Sequence, residues 1–234
     1  MDSLMTKDAA RALGVSQRQV TDLLRAGKLS GEQLSDGTWL VTPRSISERR
    51  ALNAGAGRTW SAASSWALLG ELSGQSSAGL SQSTLARIRR RIRTSTAEEI
   101  ARKVASRTIA HRYTADSLAK TASELVLTGR SAADAIATEL TSHTQVVEGY
   151  LRNKETLDSF ARRHLLSPDN NGDVTIYERH DSLNFEGRYA PDAVIAADLV
   201  RSTSTRERSA GLVALEEMRQ RWLAKHPLKS SATL

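Results

Sequence analysis

The sequence predicts an α+β, helix-rich protein of two unequal domains: a small N-terminal unit of helices and a β-ribbon, then a larger mixed α/β domain. Three observations predict this. Apolar residues recur at helical spacing through much of the chain, with short β-like runs between them. Asp36-Gly37 lies between two such runs and marks a hairpin, because a type I′ turn needs positive φ at both central positions. Asn53-Ala-Gly-Ala-Gly57 is built of small residues with no apolar anchor and reads as a linker. The expected boundaries are 1–52 for the first domain, 53–58 for the linker, 59–225 for the second domain and 226–234 for a frayed tail.

The first helix is expected to start after Thr6 as N-cap, with Ala9, Ala10 and Leu13 on one face. Gly14-Val15 makes a turn. Ser16 caps a second helix reaching about Ala26, and Gly27 sits where a left-handed residue ends it. Val20, Leu23 and Leu24 face the first helix, while Arg18, Thr21, Asp22 and Arg25 recur on the other side with Gln17 at its N-terminal edge. Glu32-Gln33-Leu34 and Thr38 to Val41 form the ribbon, with Trp39 and Val41 on one face. Pro43 to Leu52 reads as a third helix with Ile46 inward. Two helices with a tight turn and a ribbon behind them make a winged helix-turn-helix, whose second helix enters the major groove. Ser16, Gln17, Arg18, Thr21 and Arg25 are its candidate DNA contacts, since Gln suits adenine edges and Arg suits guanine edges. Lys28, Arg44 and the ribbon tip at Asp36 and Gly37 would set position on the phosphate backbone. The same pattern also suits a small helical domain that binds protein.

Beyond the linker, Trp60 to Leu72 is expected to be helical, with Trp60 and Trp66 as core anchors and Gly74 as its stop. Gln82 to Arg93 follows, burying Leu85, Ile88 and Ile92. Thr96-Ala-Glu-Glu99 is a capping box opening a helix to about Arg107. Strands are expected at Thr108 to Tyr113, Leu125 to Leu127, Val146 to Leu151 and Val174 to Glu178. Between them, Ser131 caps a small-residue helix from Ala132 to about Leu140. Lys154 to Leu165 forms another helix, burying Leu157, Phe160 and Leu165. Pro191 to Val200 and Thr205 to about Ala224 close the chain as helices, the last with Leu212, Leu215 and Trp222 inward.

Charge is uneven. The net charge is +7 over 234 residues, and residues 85–112 alone hold nine Lys/Arg against two Glu. Residues 1–58 hold nine Lys/Arg against six Asp/Glu. Localised basic charge is the footprint of phosphate contact. Arg87, Arg90 and Arg91 are therefore candidate secondary phosphate contacts, although an acidic protein partner or a solvated face would use the same run. The chain has no cysteine, no cationic stretch followed by an apolar run near Met1, and no long apolar segment, so a cytoplasmic protein without membrane contact is expected. The five histidines lack metal-ligand spacing and no phosphate-binding glycine loop occurs. Asp169 to Asp173 lacks the spacing of a calcium loop and reads as a turn. The expectation is a binding protein, not an enzyme, with no cofactor, no metal and no catalytic residues.

Two resemblances add to this reading. Thr6-x-x-Ala-Ala-x-x-Leu-Gly-Val-Ser16, followed by Gly27-x-Leu and Gly37-x-Trp-Leu-Val41, resembles the winged helix of excisionase and MerR-type regulators over roughly the first 50 residues. Gly57-Arg-Thr-Trp-Ser-Ala, Ala110-His-Arg-Tyr113, Thr128-Gly-Arg-Ser-Ala-Ala133, Val147-Glu-Gly-Tyr-Leu151, Asp173-Val-Thr-Ile-Tyr177, Ala190-Pro-Asp-Ala-Val-Ile-Ala-Ala-Asp-Leu199 and Arg206-Glu-Arg-Ser-Ala-Gly-Leu212 come in order. Together they resemble the C-terminal region of AbiEi-type antitoxins of type IV, abortive-infection toxin–antitoxin systems. That resemblance implies an antitoxin-like second domain, a nucleotidyltransferase-like toxin as partner, and repression of the shared promoter through an operator in double-stranded DNA. The excisionase-like N-terminus departs from the usual antitoxin pattern, which leaves operator layout and a dimer on DNA open. The alternatives are an excisionase-like architectural factor, another helix-turn-helix transcription regulator, or a second domain that acts as enzyme or adaptor.

Overall fold

The computed structural model describes residues 3–53, 59–75, 79–136, 139–140, 145–152, 155–179, 185 and 187–227. The expected linker at 54–58 and the tail end at 228–234 lie outside the described residues.

The N-terminal lobe follows from local signals. Helix α1 (Thr6–Leu13) and helix α2 (Gln17–Arg25) are joined through Gly14, whose φ of 67° closes α1. Ser16 Oγ accepts the Gln19 N–H at 3.2 Å and caps α2. Thr6 is the first helical residue and not a cap; Met5 holds the cap position without a side-chain bond. Its extended backbone belongs instead to strand β1 (Leu4–Met5). Strand β1 pairs antiparallel with β3 (Trp39–Val41), which also pairs with β2 (Gly31–Gln33). Sequence pattern missed β1, because two residues carry no period.

The hairpin turn differs from a two-residue type I′ loop. Gly37 N–H bonds Leu34 O at 2.9 Å, and Leu34 N–H bonds Thr38 O at 2.8 Å. Only Gly37 among the loop residues has positive φ, at 85°. This is a three-residue loop with a left-handed glycine, a longer but common hairpin solution. Helix α3 (Pro43–Asn53) closes the lobe. Ala9, Ala10, Val20, Leu24, Leu29, Val41 and Ile46 form its own core, separate from that of the rest of the chain.

The second lobe begins with α4 (Ala62–Leu72), α5 (Gln82–Thr94) and α6 (Ala97–Val104), each started by a side-chain cap. At α6 both bonds of the Thr96–Glu99 capping box are made. The helix ends at Val104, and a 3-10 turn over Ala105–Arg107 covers the stretch read as its last turn. Trp60 precedes α4 by one residue beyond its Ser61 cap.

A mixed sheet follows. Its strands are β4 (Ile109–Thr114), β5 (Leu125–Leu127), β6 (Val147–Leu151), β7 (Ser167–Pro168) and β8 (Val174–Glu178), in the order β5-β6-β8-β4-β7. Only β6 and β8 run parallel. Helix α7 (Leu118–Glu124) and helix α8 (Leu157–Arg163) connect strands. The expected burial of Leu165 fails: Leu165 has φ 53° and is 68% exposed, and Leu166 turns inward in its place. A left-handed residue after the α8 C-cap reverses the chain and rotates the side-chain phase by one position.

Helix α9 (Asp192–Leu199) is apolar on every side from Ala193 to Leu199, apart from Asp198, and lies buried between the 3-10 segment Gly129–Ile136 and α10 (Thr205–Lys225). That 3-10 segment stands where a regular helix capped by Ser131 was expected. Ala132 is non-helical, and Ser131 does not cap: its Oγ donates to Val146 O at 3.1 Å and accepts Glu148 N–H at 2.9 Å. Bonding to β6 ties up the hydroxyl that would otherwise start a helix.

Asp198 organises this core. Its carboxylate accepts Arg107 Nη2 at 2.5 Å, Thr128 Oγ1 at 2.8 Å and Tyr150 Oη at 2.7 Å, with Arg201 Nη1 at 3.6 Å. Arg107 and Asp198 side chains are both 0% exposed. Burial pulls the Arg107 pKa down, but the Asp198 charge more than offsets this and holds it above its ordinary value. Burial, then the same carboxylate, pushes Tyr150 well above the usual phenol range.

Asp198→Ala strands the Arg107 charge in the core and should cost about 3–5 kcal/mol by chemical denaturation. Replacing both partners with apolar residues of similar volume should recover most of that loss. A single variant as stable as the unaltered protein contradicts the account. Gly129 has φ 52°, and a Cβ there would fall onto Glu148 Oε2. Gly129→Ala should therefore cost about 1–3 kcal/mol in the same assay.

Candidate nucleic-acid interface

Helix α2 buries Val20 and Leu24 against α1 and leaves its opposite face open. Gln17, Arg18 and Arg25 are exposed, and their side chains make no hydrogen bond or ion pair to the described residues. Thr21 is half-buried and its Oγ1 donates back to Gln17 O at 3.1 Å. Ser16 is used as the cap, which leaves its hydroxyl hydrogen to be donated. Asp22 shares the exposed face and its charge opposes phosphate approach. The face therefore presents two unpaired guanidinium groups and one amide on a helix of nine residues, about 13 Å long. Those dimensions match a major groove about 12 Å wide.

The hairpin adds a second projection. Asp36 accepts the Thr38 N–H at 2.8 Å, and this bond holds its carboxylate below the ordinary range. Gln33 Nε2 reaches Gly37 O at 3.2 Å across the loop. Asp36 thus shapes the tip, while Gly37 is its bare, exposed apex.

The other expected contacts lie differently. Lys28 is exposed and unpaired among the described residues. Arg44 is half-buried and pairs with Glu48 at 3.1 Å. Glu48 also accepts Arg112 Nη2 at 2.5 Å. This ion pair joins α3 to β4 and clasps the two lobes. Residues 48 and 112 lie 64 positions apart, and no local pattern signals the contact. Gly27 faces the same junction, where a Cβ would lie 3.1 Å from Ile109 Cγ2.

The arginines of α5 are mostly used inside the fold. Arg89 pairs with Glu71 at 2.9 Å, and Arg93 bonds His226 O at 3.1 Å and lies over Trp222. Arg91 stacks 4.7 Å from the Trp60 ring centre, where burial and then the nearby Arg87 charge lower its pKa. Of the three candidate phosphate contacts here, only Arg87 and Arg90 point to solvent, and Arg87 bonds Thr84 Oγ1 at 3.3 Å. Among the described residues, no group of three or more His, Asp or Glu side chains is placed to hold a metal. No helix among them is long and apolar enough to cross a membrane.

Glu48→Ala should leave Arg112, whose side chain is 7% exposed, without its counter-charge and lower stability by about 3 kcal/mol in urea titration. An unchanged midpoint would show that the clasp contributes nothing. Comparison with known proteins finds no matching family model, no matching curated protein and no matching solved structure, so the reading of this chain rests on its own residues.

Proposed function

We propose that this chain is a DNA-binding antitoxin and autorepressor: the N-terminal lobe acts as a winged helix-turn-helix on its own promoter, and the second lobe counteracts a nucleotidyltransferase-like toxin. One observation carries the DNA reading. Gln17, Arg18 and Arg25 stand exposed and unpaired on the open face of α2, beside a projecting hairpin. Side chains already bonded within the fold would have to break those bonds to read bases; these need not. Arg18 and Gln17 sit at the N-terminal end of α2, the end that such helices present to base edges. Lys28 follows α2 and would approach the backbone. The antitoxin role is supported by the order of short motifs from Gly57 to Leu212 that resembles AbiEi-type antitoxins.

The direct test titrates the protein against its own upstream DNA and against a scrambled duplex of equal length. The repressor reading predicts clear preference for the former; equal affinity would sink it. Arg18→Ala should relax base preference at one position and cost about 1–3 kcal/mol. Lys28→Ala should weaken all duplexes alike and reduce the salt slope by about one. Co-expressing the toxin with a chain lacking α2 separates the two roles, since rescue without DNA binding places antitoxicity in the second lobe.

A further inference from the structure

Between the lobes lies a cleft of about 390 Å3, within the size range of small-ligand sites. Six cationic side chains line it against three carboxylates. Most of the cations are accounted for. Arg44 and Arg112 share Glu48, and Arg130 pairs with Glu207. Arg201 donates to Thr108 Oγ1 at 2.7 Å and stacks over Tyr177. Arg49 is different. It reaches the cleft from α3, half-buried, with no hydrogen bond or ion pair among the described residues. Burial alone depresses its pKa. A desolvated guanidinium without a counter-charge is costly, and an anion brought to it removes that cost.

The opposite wall suits the same anion. Arg130 and Arg112 each keep a buried Nε without a partner. Ser202, Thr203 and Ser204 line the cleft and lead into the 21-residue α10, whose positive end borders the space. The carboxylate an anion must avoid, Glu148, is turned to the Arg130 N–H at 2.9 Å. A duplex is excluded by size, because its major groove alone is about 12 Å wide.

We propose that this cleft binds a small phosphate-bearing ligand of nucleoside-monophosphate size, held by Arg49 from one lobe and by Arg130 and Arg201 from the other. Guanidinium forks from two walls match the several acceptor oxygens of a phosphate. The site is distinct from the open face of α2 and stands whether or not that face binds DNA.

The test uses the full chain without DNA. Calorimetric titration and thermal melting are run with AMP, with pyrophosphate, and with adenosine as the uncharged control. AMP or pyrophosphate should bind saturably and raise Tm, while adenosine does neither; binding of pyrophosphate alone would assign a phosphate site without a base subsite. Arg49→Gln should weaken binding by at least about tenfold, the loss of one charge-assisted hydrogen bond. Lys28→Ala, at the exposed rim, should weaken it by less, and Arg18→Ala should leave it unchanged. The proposal is overturned if neither phosphate compound binds at millimolar concentration, or if Arg49→Gln binds as tightly as the unaltered chain. It is equally overturned if Arg49→Gln loses duplex affinity while both small compounds fail to bind, since the cleft would then belong to a nucleic-acid surface.

Discussion

The buried Asp198 carboxylate holds together parts of the chain that have little else in common. Arg107 comes from the end of the helical layer, Thr128 from the exit of β5, Tyr150 from β6, and Arg201 from the turn after α9. A carboxylate in an apolar helix is tolerable only when its lone pairs are filled, and here four donors converge on it. Fixing Thr128 places Gly129 against Glu148 and aims Arg130 at Glu207. Fixing Arg201 places the head of α10. Both walls of the second lobe's cleft are therefore set by one ion pair far from the surface.

Pairing, more than charge count, decides which cations can meet a partner. Residues 85–112 carry the densest positive charge in the sequence. In the fold, Arg107 neutralises Asp198, Arg112 holds Glu48, Arg89 holds Glu71, and Arg91 and Arg93 lie on indole rings. The lobe with fewer cations keeps Arg18, Arg25 and Lys28 free among the described residues. The functional reading shifts accordingly from the arginine-rich helix to α2.

Local structure was legible where a short signal suffices. The Ser16 cap, the left-handed Gly14 and Gly27, the Thr96–Glu99 box and the apolar phase of α5 all act within a few residues, and each stands as read. Misreadings arose where distant partners decide. Ser131 looks like a cap until β6 takes its hydroxyl, and Leu165 looks buried until a left-handed turn shifts the phase. The loop at Asp36-Gly37 was recognised, but its length depends on which residues pair, and that is set by register with β3. Of the candidate interface, the α2 face was legible from helical period alone. The Glu48–Arg112 clasp and the unpaired Arg49 were not, because burial and pairing across 64 positions leave no periodic trace.

The central claim is that duplex DNA meets the open face of α2 and the hairpin tip. Amide hydrogen exchange of the full chain, with and without its upstream duplex, tests it most directly. The account predicts added protection at residues 16–25 and 35–38, with α5 unchanged. Protection confined to α5, or none in the N-terminal lobe, would contradict it.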